Sequence, residues 1–544
     1  MLYDKRGLAL TTDNQTAVDA FDATVEAFLT SGRDTGPLLA SLDETDPNML
    51  MGVCLRGYLM RMASLIELDI KSQIALVDAQ RLCPGATTRE QLHVDALASW
   101  CAGDLVKAGQ IWEAILIDYP HDILALRLAH NIHFFVGDIF RMRDSMARLM
   151  PRWSEEIPGY GYVLGCRAFS LEEAGEYERA EPIGRRAVEL NENDIWAGHA
   201  VAHVLEMQGR RSDGVEWINS HEKTWSKRGL FAKHLWWHRS LHYLEMNNFS
   251  AVLDAYDREF WLEPSEDNID ICNSSSMLMR LHMLGVPVGD RWNSIAEVSS
   301  GRLHDRLRPF NDLHFVMALA MTERKNEARQ IVRSMEDFVG NTKSERMTLT
   351  SVYKKAAIPV AEAIINYAEK NYSEVVRLML ESRYEMRPLG GSWAQRDVWV
   401  RMLIDSAIKD NQIGLSRVLL AERIAAQPRS GPTWHLYADT LEKAGDIRAA
   451  TESRLNDSFA QQRALNTGSV AGLVALDSLM QSCECDLVSL LADQDSMELT
   501  INNGAQLKTR DLIIPGYQLA ITQAPNAAAD SIVLMINPSM GDRP

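Results

Sequence analysis

The sequence predicts an all-α fold, a solenoid of antiparallel helix pairs wound as a right-handed superhelix, with a small partly β appendage at the C-terminus. Three observations carry that prediction. A helix–turn–helix pattern recurs at a spacing of about 34 residues. Glycine or asparagine returns where the first helix of each unit must end, the place at which a left-handed residue stops a helix. Beyond about Ser469 the helical period fades and short strand-like segments follow.

The first 88 residues read as helices that cap the stack. Thr16 to Leu29 places Val18, Phe21, Val25, Phe28 and Leu29 at helical spacing, and terminal units must cover an otherwise exposed apolar face. Arg89 to Asp122 carries Gly103, Ala108, Trp112 and Pro120, and Ile123 follows with Gly137 at the matching place. The clearest unit is Tyr160 to Asn193, which turns at Gly175-Glu176-Tyr177 and sets Ala180 and Ala187 where two helices cross closely. Ile195 with Gly209 and Gly214 begins the next, then Lys233 with Phe249, Val252, Tyr256 and Pro264. Downstream come Asn311 to Glu336 with Ala328, and Ala356 to Arg387 turning at Asn371 and Tyr372. Asp397 to Pro428 has Asn411 in the glycine place, and Ser430 to Leu455 has Gly445, Asp446 and Ala450. Each match alone is weak. In common phase they make a tetratricopeptide-type solenoid over residues 89–460. Residues 461–544 form an extension in which Ser496 to Asn502 and Ser531 to Asn537 read as strands. Turn signals separate them at Asn503-Gly504, Pro515-Gly516 and Ala524-Pro525.

Composition narrows the partners. With 56 basic against 74 acidic residues, the chain lacks the concentrated positive charge that phosphate backbones require, which argues against nucleic acid. No stretch reaches the roughly 18 to 20 apolar residues of a spanning helix, and the N-terminus has no apolar run of signal-peptide length. Seven scattered cysteines suit a reducing cytosol. A cytoplasmic protein without membrane partners is expected; homo-oligomerisation stays open.

Several ordered blocks carry a resemblance: REQLHV from Arg89, RDSMARLMPRW from Arg143, DIWAGHAVAHVLEMQGR from Asp194, KHLWWH from Lys233, VGDRW from Val288, FNDLHFVMA from Phe310 and GGSWAQRDV from Gly390. Over about residues 5 to 430 the chain resembles the tetratricopeptide repeat protein 38 family, as a bacterial member. The resemblance implies the solenoid and supplies no biochemical activity. It also implies that unit positions 2, 5, 9 and 12 face a concave groove.

Thirteen of the 14 histidines lie between His93 and His314, and the repeat frame sorts them. His93 falls at position 5 of its unit. His199, His203 and Glu206 fall at 5, 9 and 12 of the unit beginning at Ile195. His234 and His238 fall at 2 and 6 of the unit beginning at Lys233, and His314 falls near 6 of its own. Two imidazoles at i and i+4 with a carboxylate at i+7 share one helix face. His199, His203 and Glu206 can therefore chelate a divalent transition metal if a neighbouring helix adds a ligand, for which His234 and His238 are placed. Alternatively, His199, His203, His234 and His238 act as acid/base groups, or merely pack between helices. Against the metal stand the absence of a cysteine pair and Ala200 in the Glu place of HExxH.

The remaining candidates are weaker. His130 is a ligand candidate for which core packing is the stronger reading, as it is for His133 and His242. His121, His221, His282, His304 and His435 read as loop or surface residues. Asn311 and Asp312, with His314, either cap a helix or meet a ligand. Gly390-Gly391-Ser392 opens a helix where Gln395 and Arg396 can hold a carboxylate or phosphate, unless Arg396 pairs with Asp397 to fix an inter-unit angle. Trp153, Trp236, Trp237, Trp292 and Trp393 favour the core over a groove wall, Cys483-Glu-Cys485 is a poor metal motif, and no GxSxG elbow occurs. The leading expectation is a module whose His-lined groove binds a peptide or small polar ligand. An enzyme using the groove histidines and a structural adaptor are the alternatives. A stripe of His, Trp and Glu suits a closed small-molecule pocket better than a Lys- and Asn-lined peptide groove.

Overall fold

The computed structural model describes residues 1–226, 231–341, 347–465, 497–502, 517–523 and 531–538. The chain divides into two compact units, Met1–Gln427 and Pro428–Pro544. The first is a succession of antiparallel helix pairs, and the repeat grammar explains how each pair is closed. At Gly103, Gly137, Gly175 and Gly209 the backbone turns left-handed, with φ of 81°, 67°, 81° and 69°. The following amide then reaches back to a carbonyl of the first helix's last turn: Asp104 to Ser99, Asp138 to His133, Glu176 to Leu171 and Arg210 to Leu205, at 2.8–2.9 Å. That bond satisfies an otherwise orphaned helix-end carbonyl. Asn411 (φ 58°) does the same work in the glycine place, and its neighbour Gln412 bonds Ala407. Aspartates begin the next helix: Asp104, Asp138 and Asp194 accept from the amides of Lys107, Arg141 and Ala197.

The pairs thus formed include Thr88–Cys101 with Leu105–Asp118, Tyr160–Glu173 with Tyr177–Leu190, Ile195–Met207 with Arg211–Trp225, and Ala232–Glu245 with Phe249–Ala255. Small residues sit where helices cross: Ala108, Ala180, Ala187 and Ala328 are fully buried. The tightest crossing is at Gly214, where an added Cβ would stand 2.1 Å from Nε2 of His242. Trp153, Trp237 and Trp292 are buried as expected, whereas Trp393 is about half exposed, at 47%.

Three details differ from the sequence reading. Residues Leu2–Tyr3 and Ala9–Leu10 pair as a two-stranded antiparallel hairpin ahead of the first helix. A further pair, Asn268–Met283 with Trp292–Ser300, lies outside the counted units. Its first helix ends at a left-handed Gly285 like the others, but Pro287 follows and the second helix does not begin until Trp292, which breaks the period. In the second unit, Gly431–Lys443 pairs with Ile447–Leu465, and the strands Met497–Asn502 and Ser531–Pro538 are joined by a third, Tyr517–Gln523. Ser531–Pro538 lies between the other two, antiparallel to both, with Leu499 opposite Leu534 and Leu519 opposite Ile536. The apolar run Leu519-Ala520-Ile521 spoils the alternation that marks a half-buried strand. The turn signals at 503–504, 515–516 and 524–525, and Cys483 and Cys485, lie outside the described residues. No described helix is long and apolar enough to cross a membrane.

Gly214→Ala drives a methyl into the His242 ring, so its urea-unfolding midpoint should fall by an equivalent of about 1–3 kcal/mol, the usual range for overpacking. His242→Ala in the same chain should return part of that loss, because the two changes share one contact.

Candidate metal centre

The helix periodicity brings each histidine pair onto one face, and the repeat then sets the two faces against each other. His199 and His203 lie one turn apart on Ile195–Met207, and His234 and His238 do so on Ala232–Glu245. All four are buried, at 0–2% exposure. Their ring nitrogens converge within 4.8 Å of one another. Nε2 of His199 is 2.8 Å from Nε2 of His203 and 3.2 Å from Nε2 of His238, which is itself 3.1 Å from Nε2 of His234.

The partners behind the rings determine what the nitrogens in front can be. Nδ1 of His238 is 2.9 Å from Oε2 of Glu206, and Nδ1 of His234 is 2.9 Å from Oδ1 of Asn273. Nδ1 of His203 faces Oε2 of Glu172 at 3.6 Å. An oxygen acceptor places the proton on Nδ1, which leaves Nε2 as a lone pair. His238 and His234, with His203 favoured the same way, therefore aim lone pairs at a common point. His199, whose Nδ1 has no hydrogen-bond partner, can offer one N–H at most. Protonation does not relieve the crowding. Burial, reinforced by neighbouring imidazoles, holds His199, His234 and His238 well below the ordinary histidine value, and burial lowers His203 as well.

The donor set fits a divalent transition metal. Neutral imidazole suits Zn, Cu, Fe and Ni, and His–carboxylate pairs behind the ligands orient the rings and raise their basicity. At a Zn–N length of about 2.0–2.1 Å a tetrahedral site has N···N edges of about 3.4 Å, so the three contacts at 2.8–3.2 Å would widen by about 0.2–0.6 Å to reach that size. Glu206, grouped with the ligands in the sequence reading, stands behind His238 instead.

Sequence reasoning missed Glu172 and Glu173. Both are buried at the C-terminal end of Tyr160–Glu173 and, with His203, form a second group whose ligand atoms lie within 4.8 Å of one another. Burial and the Glu206 charge push Glu172 well above the usual carboxylate value, and burial with the Glu172 charge raises Glu173 to about 7. Glu172 sits at position 13 of its unit, one past the inward position 12, and that offset was the available signal.

The other candidates are dispersed. His93 is buried with Nε2 3.0 Å from Asp122, which also receives Arg89 at 2.7 Å, a net in a separate repeat unit. His130 packs edge-on to Phe169 and Trp196, beside the four histidines, with both nitrogens unpartnered. His133 meets Glu113 at 2.9 Å. His314 donates to the Phe310 carbonyl, Asp312 receives the Tyr353 hydroxyl, and Asn311 receives the Cys272 thiol at 3.7 Å. Gln395 completes a capping box with Ser392, so it closes the helix entry. Arg396 donates to the Gly391 carbonyl. Asp397 pairs with Arg401 and Arg423 rather than Arg396, at 2.6 and 2.9 Å. An open cleft of about 800 Å³ is lined by Glu26, Arg33, Tyr160, Tyr162 and Asn193 among others, and by none of the four histidines.

No family model matches the chain. Among solved structures it is similar to the human IFIT1 dimer with PPP-AAAA, at 11% identity and TM-score 0.36 over 84% of this chain and 96% of that one. It is also similar to Naa15/Naa10 bound to HypK-THB, at 9% identity and TM-score 0.22 over 86% of this chain and 71% of that one. A third is the P58(IPK) TPR domain, at 11% identity and TM-score 0.19 over 73% of this chain and all (100%) of that one. The helix pairs themselves carry the fold assignment, and what those proteins bind is not transferred.

The buried Asp397 cluster gives a pH test. Arg423 and Arg401 hold the Asp397 carboxyl far below its usual value despite burial. A carboxyl depressed on folding adds stability above its unfolded value, near 3.8, and that stability is lost as pH falls below it. Asp397→Ala removes the carboxylate that Arg401 and Arg423 share in a buried net, so at pH 7 it should cost about 3–5 kcal/mol. The difference from wild type in urea midpoint should shrink as the buffer is taken below pH 4.

Proposed function

We propose that this helical-repeat protein is a metalloprotein that holds a divalent transition metal between two consecutive repeat units, and that it belongs to the tetratricopeptide repeat protein 38 family. The ordered sequence blocks from REQLHV to GGSWAQRDV support the family, which brings no activity with it. One observation carries the metal reading: four neutral imidazoles, buried, aim Nε2 at one point, with hydrogen-bond acceptors behind two of them and the Glu172 carboxyl 3.6 Å behind a third. The rings are closed to bulk solvent and burial disfavours their protonation, and a cation would satisfy the converging lone pairs at once.

Four protein ligands close a tetrahedral coordination sphere, and a closed sphere is the mark of a structural site, whereas a catalytic metal keeps a position free. The metal would bond Ile195–Met207 to Ala232–Glu245, with Glu206 and Asn273 holding the rings in the ligating tautomer. A peptide- or small-ligand-binding role has its own support in the open cleft beside Tyr160 and Tyr162. That cleft is separate from the histidines, so both properties can belong to one protein.

Purified full-length protein, dialysed with zinc and then against buffer, should retain tightly bound metal by elemental analysis. His199→Ala/His234→Ala should lose it from this site. Glu206→Gln keeps every ligand and should weaken metal affinity about 10- to 100-fold. Chelation of wild type should lower the unfolding midpoint, by about 4 kcal/mol if free metal had stood a thousandfold above its dissociation constant. Folded wild type that retains no metal overturns the proposal.

A further inference from the structure

We propose a second metal position beside the first, formed by Glu172, Glu173 and the far nitrogen of His203, so that the His203 ring bridges two ions. This rests on the four-histidine reading. His203 presents Nε2 to His199 at 2.8 Å and Nδ1 to Glu172 at 3.6 Å, so its two nitrogens face two different clusters. Glu172, Glu173 and His203 are 0–1% exposed and their ligand atoms lie within 4.8 Å of one another.

The second position is more than a cluster of acids. Both carboxylate oxygens of Glu172, Oε2 of Glu173 and Nδ1 of His203 are buried without a hydrogen-bond partner. Native structures rarely leave such atoms unsatisfied. The placement compounds the cost. Two adjacent carboxylates occupy the last turn of a helix, where the macrodipole already puts negative potential. Arg396, whose charge acts on both carboxyl groups, makes no described ion pair with either and donates from Nη1 to the Gly391 carbonyl. The one described hydrogen bond to this pair is a long one, 3.4 Å from the Trp393 amide to Oε1 of Glu173. A divalent cation would satisfy the free oxygens and balance the paired charge at once. The donors, two carboxylates and one imidazole, favour Zn, Mn or Fe(II) over softer ions.

Binding there is an exchange without redox change. The second ion forms bonds to Nδ1 of His203 and to the Glu172 and Glu173 carboxyl groups; the Nδ1–H bond and the O–H bond of each protonated carboxyl break, and the protons pass to solvent. Metal already on Nε2 withdraws charge from the ring and makes the Nδ1 proton easier to lose.

Copper(II) alone is the probe, titrated into metal-free full-length protein whose folding is checked by circular dichroism. Wild type should take up two equivalents. The second should reduce the integrated EPR signal below the copper added, because spins joined through one imidazolate couple. Glu172→Gln/Glu173→Gln preserves side-chain shape and should take up one equivalent with a full, uncoupled signal. Saturation of both proteins at one equivalent overturns the second position and leaves the four-histidine centre standing. Two uncoupled equivalents in both proteins also overturn it, since the second ion then binds elsewhere. No uptake by folded wild type overturns the four-histidine reading and this inference with it.

Discussion

The constraint on which this part of the molecule depends is the meeting of four imidazole nitrogens in a buried interior. Each ring is fixed from behind or packed from the side. Glu206 and Asn273 hold His238 and His234, while Phe169 stacks against His199 at 5.5 Å. Rings so held cannot rotate their lone pairs away from one another. The energy of that arrangement comes from the helices that carry it, whose buried faces include Ala197, Ala200, Val201, Leu235 and Leu241. Packing thus preorganises a donor set that the same residues would not form as isolated peptides.

The surrounding charges follow the same logic of paired or unpaired burial. Asp397, Arg401 and Arg423 form a net in which each group meets an opposite charge, and Arg401 continues it to Glu245. Its carboxyl is correspondingly held low. Glu172 and Glu173 lie in the same interior without such partners, and burial raises both. Two carboxylate sites a few residues from one another in the fold therefore sit at opposite ends of the acidity range. Their neighbours make the difference, because burial alone would raise them all.

Much of the fold was legible because its turns obey local rules. A left-handed glycine or asparagine followed by a capping residue depends on nothing distant, so Gly103, Gly137, Gly175, Gly209 and Asn411 could be read directly. The hairpin at Leu2–Tyr3 and the delayed second helix after Pro287 escaped because each interrupts the period. The histidine stripe was legible as well, since i and i+4 spacing is a property of one helix. How deeply it is buried was not. Whether a repeat position faces an open groove or a closed interior depends on how later helices cover it, and the sequence pattern of His199 and His203 is the same in both cases. Glu172 was harder to read for a related reason: the ring nitrogen it faces lies on the next unit's first helix.

In a stack of repeats, stability is approximately the sum of each unit's own stability and its interface with the next. Most interfaces here are closed by small residues and apolar side chains, which act through area and are interchangeable within limits of volume. The interface between Ile195–Met207 and Ala232–Glu245 is different, because its centre is polar and each nitrogen has a required partner. If a cation is held there as proposed, ligands contributed equally by both helices would tie this joint together. Metal supply would then set the coupling between the segments on either side, a property that an all-apolar interface would lack.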